Sequence, residues 1–187
     1  MYKKVFIAVL AVLMLATASY GIEMAGVSMP DTVKAGDASL ALNGAGIRTK
    51  FFMDMYVGGL FLKQKSSDAA AIINADEPMA VRLHIISGLI TSEKMEDAVR
   101  EGFEKSTNEN TAPIQQEIEN FINVFKEKIN VNDIYEFFYI PGKGLEVYKN
   151  GAPASVVPGI AFKKALFGIW LCDSPAQKSL KEAMLGK

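Results

Sequence analysis

Two side chains of this sequence have types and a spacing that could hold a small anion: Arg48 and Tyr56. Arg48 and Tyr56 lie in the apolar stretch A-L-N-G-A-G-I-R-T-K-F-F-M-D-M-Y-V-G-G-L-F-L, which runs from Ala41 to Leu62. Its aromatic, Val, Leu and Ile content is that of a strand. Alternate residues of a strand share a face, so Leu40, Leu42, Gly44, Gly46 and Arg48 are expected on one side, with Ala41, Asn43, Ala45 and Ile47 on the other. The even separation of Tyr56 from Arg48 keeps the two on one face, with Leu60 and Leu62, whether the chain runs on or folds back near Phe52. A guanidinium stays charged and is costly to bury unpaired. Facing an apolar surface beside a phenol, it reads as a grip for a carboxylate or another anion. The alternative is an internal ion pair, with Asp54 as the nearby acid.

Other reactive types are scarce. The single histidine, His84, falls beside Arg82 on the more polar face of an alternating strand, Met79 to Ile86, and reads as solvated or hydrogen-bonded. The single cysteine, Cys172, rules out an internal disulfide and sits in W-L-C-D as a small buried hydrophobe. One Cys and one His make a transition-metal site or a Cys–His nucleophile untenable, and no cofactor is implied.

The elements that must position Arg48 and Tyr56 follow from the rest of the chain. Its 187 residues suit one well-buried domain. Residues 1–21 read as a secretory signal peptide: Lys3 and Lys4, then an apolar run from Val5 to Ala16, then small residues that allow cleavage after Ala18 or Gly21. That run is shorter than the ~20 residues of a membrane span. The expectation is a periplasmic or secreted protein of residues 22–187 with no stable membrane insertion. Removing Lys3 and Lys4 from 20 basic residues, against 21 acidic ones, leaves a net charge near −3. With no basic cluster, nucleic acid is not an expected partner.

Gly26 to Val33 reads as an edge strand interrupted by Pro30, and Lys63 to Ala75 as a turn and a short helix capped by Ser67 or Asp68. A helix opens at T-S-E-K, where Thr91 or Ser92 can cap, and buries Met95, Val99, Gly102 and Phe103. A second has apolar residues at helical spacing from Ile114 to Ile129. Strands Ile134 to Ile140 and Leu145 to Tyr148 flank the turn P-G-K-G. An amphipathic helix carries Phe162, Ala165, Leu166, Ile169 and Trp170, and a last one is expected to start with Ser174 as cap and Pro175 at its first position. Strands, helices, strands, helices in that order predict an α+β layer with helices packed on a largely antiparallel sheet.

G-A-G-I-R, Y-V-G-G-L-F-L, Y-I-P-G-K-G-L-E-V-Y-K-N-G, F-K-K-A-L-F-G-I-W-L, D-S-P and S-L-K-E-A-M-L-G, taken in order, resemble the bacterial exported branch of the chalcone isomerase-like family. The resemblance implies an open-faced β-sandwich, with helices on one side of a large antiparallel sheet and a ligand cleft between them. It covers enzymes that close a chalcone into a flavanone and relatives that bind fatty acids without catalysis. Arg48 matches the arginine that holds substrate or carboxylate, and Tyr56 falls where the fatty-acid-binding relatives carry a tyrosine. The enzymes' catalytic tyrosine and asparagine positions correspond here to Thr91 and Ala98, and Cys172 replaces the branch's usual glycine. The resemblance therefore implies a non-catalytic binder of a fatty acid or similar apolar carboxylate, with Arg48, Tyr56 and Thr91 at the ligand. Two other readings stay open: an intramolecular lyase in which Arg48 stabilises a developing enolate or phenolate, and an envelope protein-interaction module with a closed cleft.

Overall fold

In a computed structural model of the protein, which describes residues 21–187, the chain enters through a small ribbon of β1 (Glu23–Met24) and β2 (Val27–Ser28). The expected leader, Gly21 apart, lies outside the described residues. The edge strand expected over Gly26 to Val33 is two pieces. β2 pairs with β1, and the sheet's edge strand is β3 (Thr32–Ala35), with Pro30, which has no N–H for a ladder, between them.

Two long strands follow, β4 (Ala38–Lys50) and β5 (Met53–Leu62), joined by a turn at Phe51–Phe52. Next come α1 (Ala69–Asn74), capped by the Asp68 side chain on Ala71 N, and β6 (Met79–Ile85). α2 (Ser92–Ser106) buries Met95, Val99, Gly102 and Phe103, the residues its spacing predicts. α3 is only Gln115–Ile122, because the backbone tightens into a 3₁₀ turn at Asn123–Phe125. Phe125 and Ile129 stay buried, so the apolar spacing outlasts the helix. β7 (Ile134–Ile140), β8 (Gly144–Lys149) and β9 (Ala152–Val157) then lead to α4 (Ile160–Leu171) and α5 (Lys178–Met184).

β3 to β9 form one seven-stranded antiparallel sheet in sequence order. Its main core lies between one face and the helices, with Leu60, Leu83, Phe137, Phe121 and Leu166 among its residues. The other face has a smaller cluster, in which Met29 and Val27 from the entry segment cover Leu40, Leu42, Ala45, Val57 and Phe61. Arg82 and His84 lie on that second face, as their alternation predicts. Arg82 pairs with Glu136 directly across the strands at 2.5 Å, and His84 Nε2 is 3.4 Å from Asn132 Oδ1.

α4 is buried almost all round rather than amphipathic. Even Lys163 has no exposed surface. Its ammonium donates to Ile72 O, Ile73 O and Ala75 O at 2.9, 2.9 and 2.7 Å, so all three of its protons meet the carbonyls that end α1. Cys172 is the half-buried residue that ends α4, with an ordinary φ of −66° that requires no glycine there. The last helix starts at Lys178, not at Pro175, because Ala176 N donates back to Ile169 O at 2.8 Å and keeps the D-S-P segment folded against α4.

The face of Arg48 is set by a β-bulge. Leu42 pairs with Phe61 and Gly44 with Leu60, which leaves Asn43 as the extra residue. Leu40 and Leu42 therefore lie on the second face, while Gly44, Gly46 and Arg48 lie on the helix face. Arg48 thus does not share a side with those two leucines, because a bulge shifts the alternation by one residue. It does share one with Tyr56, directly opposite on β5. Asn43 holds the bulge by donating to Ser66 O and Met184 O, at 2.9 and 2.8 Å, and accepting from Ser66 N at 2.8 Å. Beside it, a Cβ on Gly44 would stand 2.1 Å from Ala183 O, and one on Gly46 2.7 Å from Ala183 Cβ. Only glycine lets α5 seat this closely.

Asn43→Ala strips partners from three backbone groups and is expected to lower the unfolding free energy by about 3 kcal/mol. Urea unfolding with an unchanged denaturant slope is the measurement, and a loss below about 1 kcal/mol would show that the bulge holds without its side chain.

Candidate functional site

Between the sheet and the helices lies a cavity of about 340 Å³, inside the roughly 300–1,000 Å³ range of small-molecule sites. Met55 and Tyr56 of β5, Leu83 of β6 and Phe137 of β7 line its sheet side, and Met95 and Val99 of α2 and Ile169 and Trp170 of α4 its helix side. The charged groups that line it are Arg48, Lys50, Lys94, Lys105 and Glu101.

Arg48 lines the cavity, and a second bulge falls just after it, between Arg48 and Thr49. One residue of α5's start, Gln177, fits it. Gln177 Oε1 accepts from Thr49 N at 2.8 Å and from Arg48 Nη1 at 3.0 Å, and Arg48 Nη1 also donates to Thr49 O at 2.7 Å. Nη2 and Nε have no acceptor among the described residues, and no carboxylate there is within ion-pair distance. Asp54, the nearby acid, accepts instead from Thr49 Oγ1 at 3.1 Å. Glu101 pairs with Lys105. The half-buried Arg48 guanidinium therefore keeps one edge free at the cavity.

Tyr56 is oriented by Trp170, whose indole stacks on Phe137 with ring centroids 6.2 Å apart and donates Nε1–H to Tyr56 Oη at 3.0 Å. An indole N–H can only donate, so the phenol oxygen accepts and its proton stays available to a further acceptor. None of the described residues takes that proton. Burial pushes the Tyr56 pKa up, against the opposing pull of the Trp170 hydrogen bond and the Arg48 charge, so the phenol stays protonated at neutral pH. A guanidinium edge and a phenol proton on facing strands can together hold one carboxylate.

Thr91 stands apart from the other two. It is exposed, caps α2 by accepting from Lys94 N at 3.3 Å, and is not among the cavity's lining residues. Ala98, about two turns further along the same helix face, does line the cavity with a methyl group. Gln177 and Trp170 are the functional residues that sequence reasoning missed. Trp170 counted only as an apolar helix position, and nothing about Gln177 signalled that it would be carried to β4. Among the described residues, no group of three or more His, Cys, Asp or Glu side chains is placed to hold a metal, and no helix is long and apolar enough to cross a membrane.

The family model described as chalcone isomerase-like matches residues 21–186. The chain belongs to the chalcone isomerase-like family. Among solved structures it is similar to a fatty-acid binding protein of Arabidopsis thaliana, at 19% identity and a TM-score of 0.68, with 86% of this chain and 92% of that one covered. At that identity the likeness establishes the fold, a curled antiparallel sheet with helices on one side. No curated protein matches the chain by sequence.

The tyrosines give the site's surroundings a pH signature. Burial pushes Tyr56 and Tyr135 up, and burial with the bond from Tyr139 Oη to Asp76 at 2.5 Å pushes Tyr139 up to about 12. An unfolded tyrosine ionises near 10. Above that pH the unfolded chain loses protons that the folded one retains, so the stability these groups contribute is full below pH 10 and is lost as pH rises toward about 12. Unfolding free energy measured across this window should fall, and a flat profile would mean that the three phenols ionise as freely in the folded protein.

Proposed function

We propose that this protein is a non-catalytic carrier for a fatty acid or a similar apolar carboxylate, exported to the periplasm or beyond. The observation that carries this reading is the free edge of Arg48, which has no carboxylate partner among the described residues, beside the available proton of Tyr56 at the wall of a cavity lined mostly by apolar side chains. A ligand carboxylate would satisfy both groups, and its chain would lie along Met55, Leu83, Val99 and Ile169. Each methylene buried there is worth about 0.8 kcal/mol, so the chain supplies most of the affinity and the polar pair its direction. The fold shared with a fatty-acid binding protein supports the same reading. So does Ala98, which puts a methyl group where the family's enzymes carry a polar side chain.

Titration calorimetry with a long-chain fatty acid tests this. Arg48→Ala is expected to weaken binding about 10- to 100-fold, the worth of a charge-assisted hydrogen bond. Arg48→Lys should recover little of it, because an ammonium lacks the planar fork. An unmutated protein that carries no acyl species from its host and ignores added fatty acid would overturn the proposal.

A further inference from the structure

The hairpin that presents Arg48 and Tyr56 ends in an unusual turn. Lys50 pairs with Met53, and the two loop residues between them, Phe51 and Phe52, both have left-handed backbones, with φ of +50° and +63°. Asn-Gly is the preferred sequence for a turn with φ positive at both positions, and bulky side chains there are strained. Packing does not compensate: Phe51 is 78% exposed and Phe52 wholly so. Strain kept without a packing return points to a use outside the folded chain.

The surroundings indicate what that use is. Phe51, Met53 and Leu89 line the cavity and are also exposed, so the apolar tip is continuous with the cavity's mouth. Four cations, Arg48, Lys50, Lys94 and Lys105, line the cavity against one carboxylate, Glu101, in a chain whose net charge is −1. Asp54, beside the turn, is engaged by Thr49. Lys50 Nζ stands 5.8 Å from the Phe51 ring, and Lys94 Nζ donates to Leu89 O at 3.2 Å, so a lysine lies beside each of these two exposed apolar residues. Aromatic rings that enter the acyl boundary while lysines meet phosphates are the arrangement of a surface that sits on anionic lipid.

The geometry points to the β4–β5 hairpin tip as a docking site for an anionic bilayer surface, with Phe52 inserted at the headgroup boundary and the cavity mouth turned toward the lipid. Its purpose, transfer of an acyl chain between bilayer and cavity, rests on the carrier reading, but the docking itself does not.

Phe52 does not line the cavity, so Phe52→Gly separates docking from ligand binding and relieves the left-handed strain. Co-sedimentation with phosphatidylglycerol vesicles is expected for the unmutated protein, weakened by salt and by replacement of the lipid with phosphatidylcholine. Phe52→Gly should lower that binding by at least about tenfold, the least that losing one buried phenyl ring would do. Its melting temperature and its fatty-acid affinity in vesicle-free buffer should be no lower than those of the unmutated protein. Absence of vesicle binding, or equal binding by both proteins, would overturn the docking site. Self-association abolished by Phe52→Gly without vesicle binding would assign the tip to a second copy and overturn it likewise. Vesicle binding without fatty-acid binding would leave the docking site standing and sink the carrier reading.

Discussion

The seam between β4 and α5 determines what the rest of the structure can do. β4 bulges twice, and a bulge leaves backbone groups without ladder partners. Each bulge meets a side-chain amide: Asn43 reaches from the strand to the C-terminal end of α5 and to Ser66, and Gln177, just before α5, reaches back to Thr49 N and Arg48. Between them Gly44 and Gly46 let the helix sit against the strand's backbone. The helix is thus fastened at both ends and in contact along its middle. The first bulge turns Arg48 toward the helices, and Gln177, at the second, holds one of its nitrogens in place.

Lys163 of α4 and Arg48 of β4 are both drawn into the fold, and their partners separate structure from function. Lys163 has no exposed surface and donates its three protons to three carbonyls at the end of α1. Nothing is left for a ligand. Arg48 spends one nitrogen on two acceptors and presents its other donors to the cavity. No carboxylate of the described residues forms an ion pair with it. Trp170 completes the pair by taking the Tyr56 oxygen as acceptor, which leaves the phenol as a donor to whatever enters. Proposed carrier and proposed docking surface therefore share one hairpin, with anchoring groups at mid-strand and aromatic rings at the tip.

Much of this was legible in the residues. The α+β order, the helix face of Met95, Val99, Gly102 and Phe103, the Asp68 cap and the alternation of β6 all appear in the structure, because each depends on neighbours within a few positions. The shared face of Arg48 and Tyr56 was legible too, since an even separation survives a tight turn. Their relation to Leu40 and Leu42 was not, because a one-residue bulge at Asn43 leaves no mark on composition. The start of α5 was misplaced for a similar reason: D-S-P has the residues of a helix start, but Ala176 N is taken by Ile169 O.

By itself the sequence determined the layers, the shared face of Arg48 and Tyr56, and the charge and polarity that turn attention to an apolar acid, since local periodicity and side-chain chemistry are properties of short segments. Only the tertiary structure decided that Arg48 has no ion-pair partner among the described residues, that the cavity leaves Thr91 outside its lining, that Trp170 leaves the Tyr56 proton available, and that Phe51 and Phe52 stand exposed at the hairpin tip. Each of these depends on which groups are brought together, or left uncovered, by elements far apart in the chain. That arrangement exists only once the chain has closed on itself.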